Sequence, residues 1–454
     1  MIMDKEYKKK HGIFFTPDTV VNKIVDNLKI NNNSKILEPS FGEGIFIDSI
    51  ISANKKKDLE ITGIELDKHL FKNSSKKYSN KKNVKIYNQN FLTDFHDDNF
   101  DLIIGNPPYG SKIEKKEFEL LKSNKIFDNF GKEPAILFTL KAISLLKNHG
   151  RLIFILPSTI LRVRSFLNFR NYLKSVSKIN TITNLHQVFP DVGYETFVLD
   201  LTLQRQMTDY TIKVEDFDKR SHSELSFSFI KERNTIPLYL DKKMEKIITE
   251  IEDNTIKLSS ISTMPRGIPL SVSNNLISKE KKSDYTKLLT GRNIAKYGLN
   301  QNPEFYVPNY LYTEKFKEKK ILSQNLAYKI VSTLDTKGRL VNDTVNTIYV
   351  SDEEYLTEYV LAIMNSKIMI FYLQNVITNR ARLNIHLDSP YVGEIPIKKL
   401  PKNEQEQIKK DVDDLIFNKN DNARILIERK INEIYGIDEN FDFERYSIFG
   451  KANI

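Results

Sequence analysis

The sequence predicts an α/β fold over its first half, a mostly parallel sheet with helices on both faces and an antiparallel hairpin at one edge, followed by a mixed α+β part. Three observations carry this. Strand-like apolar runs alternate with helical periodicity from about 34 to 204. The first run opens through a Gly-containing turn, EPSFGEG at 38–44, into a helix. Beyond about 254 the character changes: helical periodicity thins, Pro and Gly sit in scattered loops (MPRGIPL, 264–270; YVGEIPIKKLP, 391–401), and basic clusters appear, KEKK at 279–282 and KFKEKK at 315–320.

The elements follow in order. SKILEPS (34–40) is a short apolar strand stopped by Glu-Pro, and FGEGIFIDSIISA (41–53) continues from glycines into a helix. ITGIELD (61–67) is a second strand ending on carboxylates, with a Lys- and Ser-rich helix after it. VKIYNQNF (84–91) is a third strand and FDLIIGN (100–106) a fourth. EPAILFTLKAISLLKNHG (133–150) has helical spacing and a Gly stop, RLIFILP (151–157) is a fifth strand, and TILRVRSFLNFRNYL (159–173) is amphipathic. ITNLHQVF (182–189) and TFVLDLTLQ (196–204), joined by a short loop with Pro190 and Gly193, read as the antiparallel edge pair. The helical stretch KKMEKIITEIED (242–253) closes the first domain, 1–254, and leaves 255–454 as the second.

At 454 residues the chain is long enough for two or three domains. A net charge of +10 fits a polyanionic partner, but a lysine-rich surface of any origin gives the same sum. The absence of cysteine excludes disulfides, thiolate nucleophiles and cysteine-ligated metals. The seven histidines show no paired helical spacing, so no metal site is expected. The start, MIMDKEYKKKHG, lacks the apolar core of a signal peptide, and no apolar run approaches the length of a bilayer span; the expected compartment is the cytoplasm, with no membrane association.

Two stretches carry chemistry. EPSFGEG lies between strand and helix, where glycines let a ligand approach the backbone and helix-terminal amides face it. Glu65 closes the second strand, a position from which a carboxylate accepts ribose hydroxyls. Only Gly42 and Gly44 are present, with Phe46 where a dinucleotide turn wants a third glycine, which favours a nucleoside without a pyrophosphate. The other stretch is DLIIGNPPYGSK (101–112). Pro107 and Pro108 cannot extend the ladder begun by Leu102, Ile103 and Ile104, so the strand stops in a stiff loop at its carboxyl end, where open α/β sheets place their ligand crevices.

In order and spacing, HGIFFTP, ILEPSFGEG, ITGIELD, QNF and IIGNPPYG resemble the segments of the amino-terminal-catalytic (γ) class of DNA adenine-N6 methyltransferases, the TaqI-like modification enzymes; LLTGRNI (288–294) and IPIKKLP (395–401) are weaker echoes. The resemblance implies a Rossmann-like methyltransferase domain that binds S-adenosylmethionine, followed by a target-recognition domain. It places Phe15, Thr16, Pro17, Glu38 and Pro39 at the methionine end of the cofactor and Gly42 and Gly44 in the close turn. Glu65 becomes the ribose acceptor, with Leu66 beside the adenine ring, Asn90 and Phe91 in the next motif, and Phe138 lining the pocket. The family commonly has Asp-Phe at the third of these positions, so Asn90 departs from it while still able to pair with the adenine amino group.

The same resemblance makes Asn106, Pro107, Pro108 and Tyr109 catalytic, with Asn106 and Pro108 also against the cofactor. An adenine amino group is a weak nucleophile because its lone pair is delocalised. The Asn106 side-chain oxygen and the Pro107 carbonyl would accept its two protons from a preorganised loop. Tyr109 would stack on the extruded base, recovering roughly 1–3 kcal/mol, with Phe189 as the second wall. The substrate implied is double-stranded DNA, with a cognate restriction endonuclease acting separately. Arg266, Arg292, Asn293, Arg380 and Arg382 are candidates for contacting it. The alternatives are methylation of another exocyclic amine or amide, in RNA or a release-factor glutamine, and a non-catalytic DNA-binding subunit with the same fold. No convincing nuclease segment accompanies the chain.

Overall fold

The computed structural model describes residues 14–447 except 112, 123–124, 190–194, 206–207, 220–221 and 381–384. The chain divides into two compact units, Met1–Lys242 and Lys243–Ile454. The sequence pattern predicts the boundary at 254, beyond the helix Lys242–Glu252, whereas the compact units divide at its start. That helix buries Met244, Ile247, Ile248 and Ile251. Glu252 accepts a hydrogen bond from Tyr372, and Thr255–Lys257 pairs with Pro396–Lys398, both contacts within the second unit.

The first unit is built on a nine-stranded sheet in the order β3-β2-β1-β4-β5-β7-β6-β8-β9. Its strands are β1 (Ser34–Glu38), β2 (Leu59–Ile64), β3 (Val84–Tyr87), β4 (Phe100–Gly105), β5 (Leu146–Pro157), β6 (Ser177–His186), β7 (Thr196–Leu203), β8 (Thr211–Asp216) and β9 (His222–Ser226). Strands β1 to β5 are mutually parallel, and β7 runs antiparallel to both β5 and β6. Helices α1 (Asp18–Asp26), α2 (Ile45–Ala53), α3 (Lys68–Lys77), α4 (Lys115–Lys122), α5 (Pro134–Leu145) and α6 (Leu167–Val176) surround it. The central strands are apolar runs because both faces are covered: Ile36, Leu37, Ile103, Ile104, Ile155 and Leu156 are fully buried. Each such side chain removed from water stabilises the unit by roughly 1.5–3 kcal/mol.

Two expectations change. The β6/β7 pair is antiparallel as expected, but it is not the edge of the sheet: β8 adds parallel to β6 and β9 antiparallel to β8. Within β8 only Ile212 and Val214 alternate into the core, too short a pattern to identify a strand. The helix read through to Gly150 ends at Leu145. Leu146 already pairs with Phe100, and the register then jumps to Leu102–Arg151 through a bulge. There His149 has φ +63°, and a Cβ on Gly150 would lie 2.8 Å from the Phe100 carbonyl oxygen.

The second unit combines a four-stranded and a three-stranded sheet with buried helices Thr357–Asn365 and Lys367–Tyr372, then the long helices Lys402–Phe417 and Asn422–Ile434. It is richer in helix than its loop-like composition suggests. Among the described residues no single helix is long and apolar enough to cross a membrane.

Candidate functional site

The carboxyl ends of β1, β2 and β4 meet where the strand order reverses, the position at which a doubly wound sheet opens a crevice. Pro39 stops β1, and the chain turns back through Gly42 (φ +53°) and Gly44 (φ +76°) into α2. Both angles lie in the left-handed region that only glycine adopts without strain. Gly44 is also enclosed: a Cβ there would sit 2.5 Å from the Tyr78 hydroxyl and 2.6 Å from the Phe41 ring. At Gly42 a Cβ would meet nothing within 4 Å, since the turn borders open space.

That space is a cavity of about 1350 Å³. Its lining includes Phe15, Thr16, Glu38, Pro39, Gly42, Glu65, Leu66, Asn90, Phe91, Asn106, Pro108 and Phe138, which brings together nearly every residue expected to hold a cofactor. Pro17 caps α1 and Gly44 caps α2; neither lines the cavity.

Two carboxylates define its electrostatics. Glu38 is buried at the end of β1, and its Oε2 has no hydrogen-bond partner. Burial, reinforced by Glu65 and Asp48, pushes its carboxyl well above the usual range. Glu65 accepts the Gly42 amide on Oε2 and the Asp67 amide on Oε1, each at 2.7 Å. Burial raises its pKa too, while those amides pull it down. An orphaned buried carboxylate beside one held by two amides suits a ligand with a cationic end and ribose hydroxyls. The donor set therefore fits S-adenosylmethionine.

Asn106 follows β4 directly. Its Nδ2 donates to the Phe14 carbonyl at 3.0 Å and to Thr16 Oγ1 at 3.2 Å, and its own carbonyl accepts from Ser40 Oγ at 3.0 Å. These bonds fix the amide's orientation, because the Phe14 carbonyl can only accept. Its Oδ1 is left buried without a partner. Beside it Tyr109 is 1% exposed, stacked on Phe14 with ring centroids 5.0 Å apart and 16° between planes. Phe189 meets Tyr109 edge-on, at 6.4 Å and 72°. The expected aromatic pair is thus assembled, with Phe14 as an unexpected third member on the face of Tyr109. In the doublet Phe14-Phe15 only tertiary packing decides which ring faces Tyr109.

Asn90, Phe91 and Phe138 also line the cavity, and the two phenylalanine rings lie 5.0 Å apart. Asn90 Oδ1 accepts the Leu92 amide at 2.9 Å, and Nδ2 donates to Glu117 Oε1 at 2.7 Å. Lys141 Nζ, from α5, donates to the Leu92 carbonyl at 2.8 Å; burial lowers its pKa to about 8, against Asp94. Neither Glu117 nor Ser40 stands in a distinctive local pattern that would mark it in the sequence.

In the second unit the DNA-contact candidates separate. Asn293 is corrected: it is fully buried, its Nδ2 donates to the carbonyls of Asn300 and Pro303, and its Oδ1 caps the turn begun at Thr290, so it shapes a loop and cannot reach a base. Arg266 pairs with Asp388, its Nε 2.8 Å from Oδ1. Arg380 donates to the Tyr446 carbonyl at 2.8 Å. Arg292 is exposed, and Arg382 lies outside the described residues. In the first unit His186, Asp216 and Asp218 come together, but Asp216 Oδ1 already accepts His186 Nε2 and the amides of Asp218 and Lys219, which closes the turn after β8.

Residues 22–189 match the Eco57I restriction-modification methylase family, and residues 286–397 match the TaqI-like C-terminal specificity domain. The chain is 31% identical over 176 residues to the type II methyltransferase M.HincII of Haemophilus influenzae, covering 38% of this chain and 32% of that protein. It is 37% identical over 164 residues to the modification methylase CviBIII of Paramecium bursaria Chlorella virus NC1A, covering 35% and 41%. To the type II methyltransferase M.VspI of Vibrio sp. (strain 343) it is 23% identical over 313 residues, covering 65% and 74%. The matched region thus spans about a third of the length of the first of these relatives. Among solved structures, a nuclease-deletion mutant of the Type ISP restriction-modification enzyme LlaGI in complex with a DNA substrate mimic gives a TM-score of 0.51 at 12% identity, covering 88% of this chain and 55% of that one. A DrdV-DNA complex gives 0.51 at 11%, covering 90% and 57%. At these identities the likeness is one of fold.

Proposed function

We propose, for a chain that resembles the TaqI-like restriction–modification methyltransferases over both a methylase domain and a specificity domain, that it methylates N6 of an extruded adenine at a specific sequence in duplex DNA. The observation that carries the proposal is the Oδ1 of Asn106, a buried acceptor with no partner, held in orientation by the Phe14 carbonyl and Thr16. An acceptor so placed costs stability unless a donor arrives, and the donor it suits is an amino group.

In the cavity, S-adenosylmethionine supplies a methyl group activated by its sulfonium. Glu38 neutralises the cofactor's cationic end, and Glu65 accepts from its ribose. Asn106 Oδ1 and the Pro107 carbonyl accept the two amino protons of the target, shifting lone-pair density onto nitrogen as it attacks. No strong base is required: as the N–C bond forms the C–S bond would break, S-adenosylhomocysteine would leave as the neutral thioether, and the cationic nitrogen would then lose its proton to water. Tyr109 and Phe189 flank the base, and Phe14 has to leave the face of Tyr109 before the base can stack there. The second unit positions the duplex through phosphate contacts. A separate cognate endonuclease belongs to the same reading.

The test is transfer of labelled methyl from S-adenosylmethionine to duplex DNA, with the modified nucleoside identified after digestion. N6-methyladenine is expected. N4-methylcytosine as the product, or label found only in RNA or protein, would overturn the substrate assignment. Asn106→Ala is expected to abolish transfer while S-adenosylhomocysteine still binds within about threefold of the wild type, roughly 0.6 kcal/mol.

A further inference from the structure

Glu117 belongs to none of the roles assigned so far. It stands on α4, partly buried, and lines the same cavity as Glu38 and Glu65. Oε1 accepts from Asn90 Nδ2 at 2.7 Å. Among the described residues no lysine or arginine pairs with it and its Oε2 has no partner, so one carboxylate oxygen still has its full capacity to accept. The neighbouring amide cannot replace it easily, because Asn90 Oδ1 already accepts the Leu92 amide. Leu66, Phe91 and Phe138 line the same cavity, so an acceptor stands among apolar groups of the kind that enclose a flat heterocycle.

We infer that Glu117, oriented by Asn90, recognises the 6-amino group of the cofactor's purine, so that the charged acceptor for this ring comes from the helix after the Pro-Pro loop. The Asn90 amide donates to one carboxylate oxygen and turns the other towards the ring. A carboxylate can only accept. It therefore favours a 6-amino purine, which donates, over a 6-oxo purine, whose oxygen would face it with two acceptors in opposition. This inference rests on the cofactor proposed above, and its test separates the two.

Binding of S-adenosylhomocysteine and of its 6-oxo analogue, S-inosylhomocysteine, is measured by calorimetry on the full chain. The wild type is expected to prefer the 6-amino compound by at least tenfold. Glu117→Gln, whose amide can donate as well as accept, is expected to bring the two affinities within about threefold, chiefly by improving the 6-oxo compound. Asn90→Asp would place a second carboxylate 2.7 Å from the first and is expected to weaken S-adenosylhomocysteine at least tenfold. Asn90→Asp combined with Glu117→Gln restores a single charge and is expected to recover most of that loss, a non-additivity that a fold defect would not produce. If the wild type binds S-adenosylhomocysteine but discrimination is unchanged in Glu117→Gln, this inference is wrong and the cofactor assignment stands. If the wild type binds neither compound, the cofactor assignment itself fails and takes this one with it.

Discussion

Asn106 shows how a single side chain is prepared for chemistry. Its amide could be written either way round, but the Phe14 carbonyl forces the NH2 towards itself and leaves the oxygen aimed at the site. Asn106→Asp keeps the shape and loses the donor, so a carboxylate would face the Phe14 carbonyl; transfer is expected to fall by at least a hundredfold, measured as single-turnover methylation. Phe14 has a second role on the face of Tyr109. Phe14→Ala is expected to tighten binding of duplex carrying a mismatched target adenine, because no ring must be displaced, and an unchanged affinity would show that the stack does not compete with the base. Glu38 has the opposite economy. Its carboxyl is raised on folding by burial and then by Glu65 and Asp48, so its contribution to stability is fully present below the unfolded value of about 4.3 and is lost as pH rises through the folded value. Glu38→Gln is therefore expected to make the ligand-free protein more stable than the wild type above neutral pH, and to weaken S-adenosylhomocysteine by roughly tenfold, about 1.4 kcal/mol. Thermal unfolding from pH 6 to 9 with and without the ligand checks both.

At the scale of elements, the turn between β1 and α2 contains two glycines with different duties. Gly42 borders the cavity, whereas Gly44 has Phe41 and the Tyr78 hydroxyl against it. Alanine at Gly42 carries only the left-handed backbone cost, about 1–2 kcal/mol. Alanine at Gly44 adds an overpacking cost of about 1–3 kcal/mol. Urea unfolding is expected to rank Gly44→Ala as the more damaging, and equal losses would mean that the turn can shift as a whole. Helix α5 shows why a sequence pattern overruns an element. PAILFTLKAISL is buried nearly all round, and its helical spacing continues into Leu146. The helix nevertheless stops, because the following backbone pairs with Phe100 and bulges through His149 and Gly150. Strand β8 is missed for the converse reason, since its burial rests on pairing with β6 and β9 and little on its own two apolar side chains.

For the molecule as a whole, the excess of basic residues bears on how it meets DNA. Phosphate contacts release counterions, so duplex affinity is expected to fall by at least tenfold between about 50 and 200 mM salt, measured by fluorescence anisotropy. A flat salt dependence would remove the electrostatic part of the DNA reading. The sequence by itself determined the alternating α/β unit, the strand ends at Glu38, Glu65 and Asn106, and the Gly42–Gly44 turn. Each of these is a local requirement: proline stops a strand, glycine takes a left-handed angle without a Cβ penalty, and a polar residue after an apolar run marks a strand's carboxyl end. Only the tertiary structure decided that Phe14 lies on Tyr109, that Glu117 meets Asn90, that Asn293 is buried, and that β8 and β9 extend the sheet. Those contacts join residues distant in the chain or choose between chemically equivalent neighbours, and no spacing or composition within one segment records which partner the fold will bring to it.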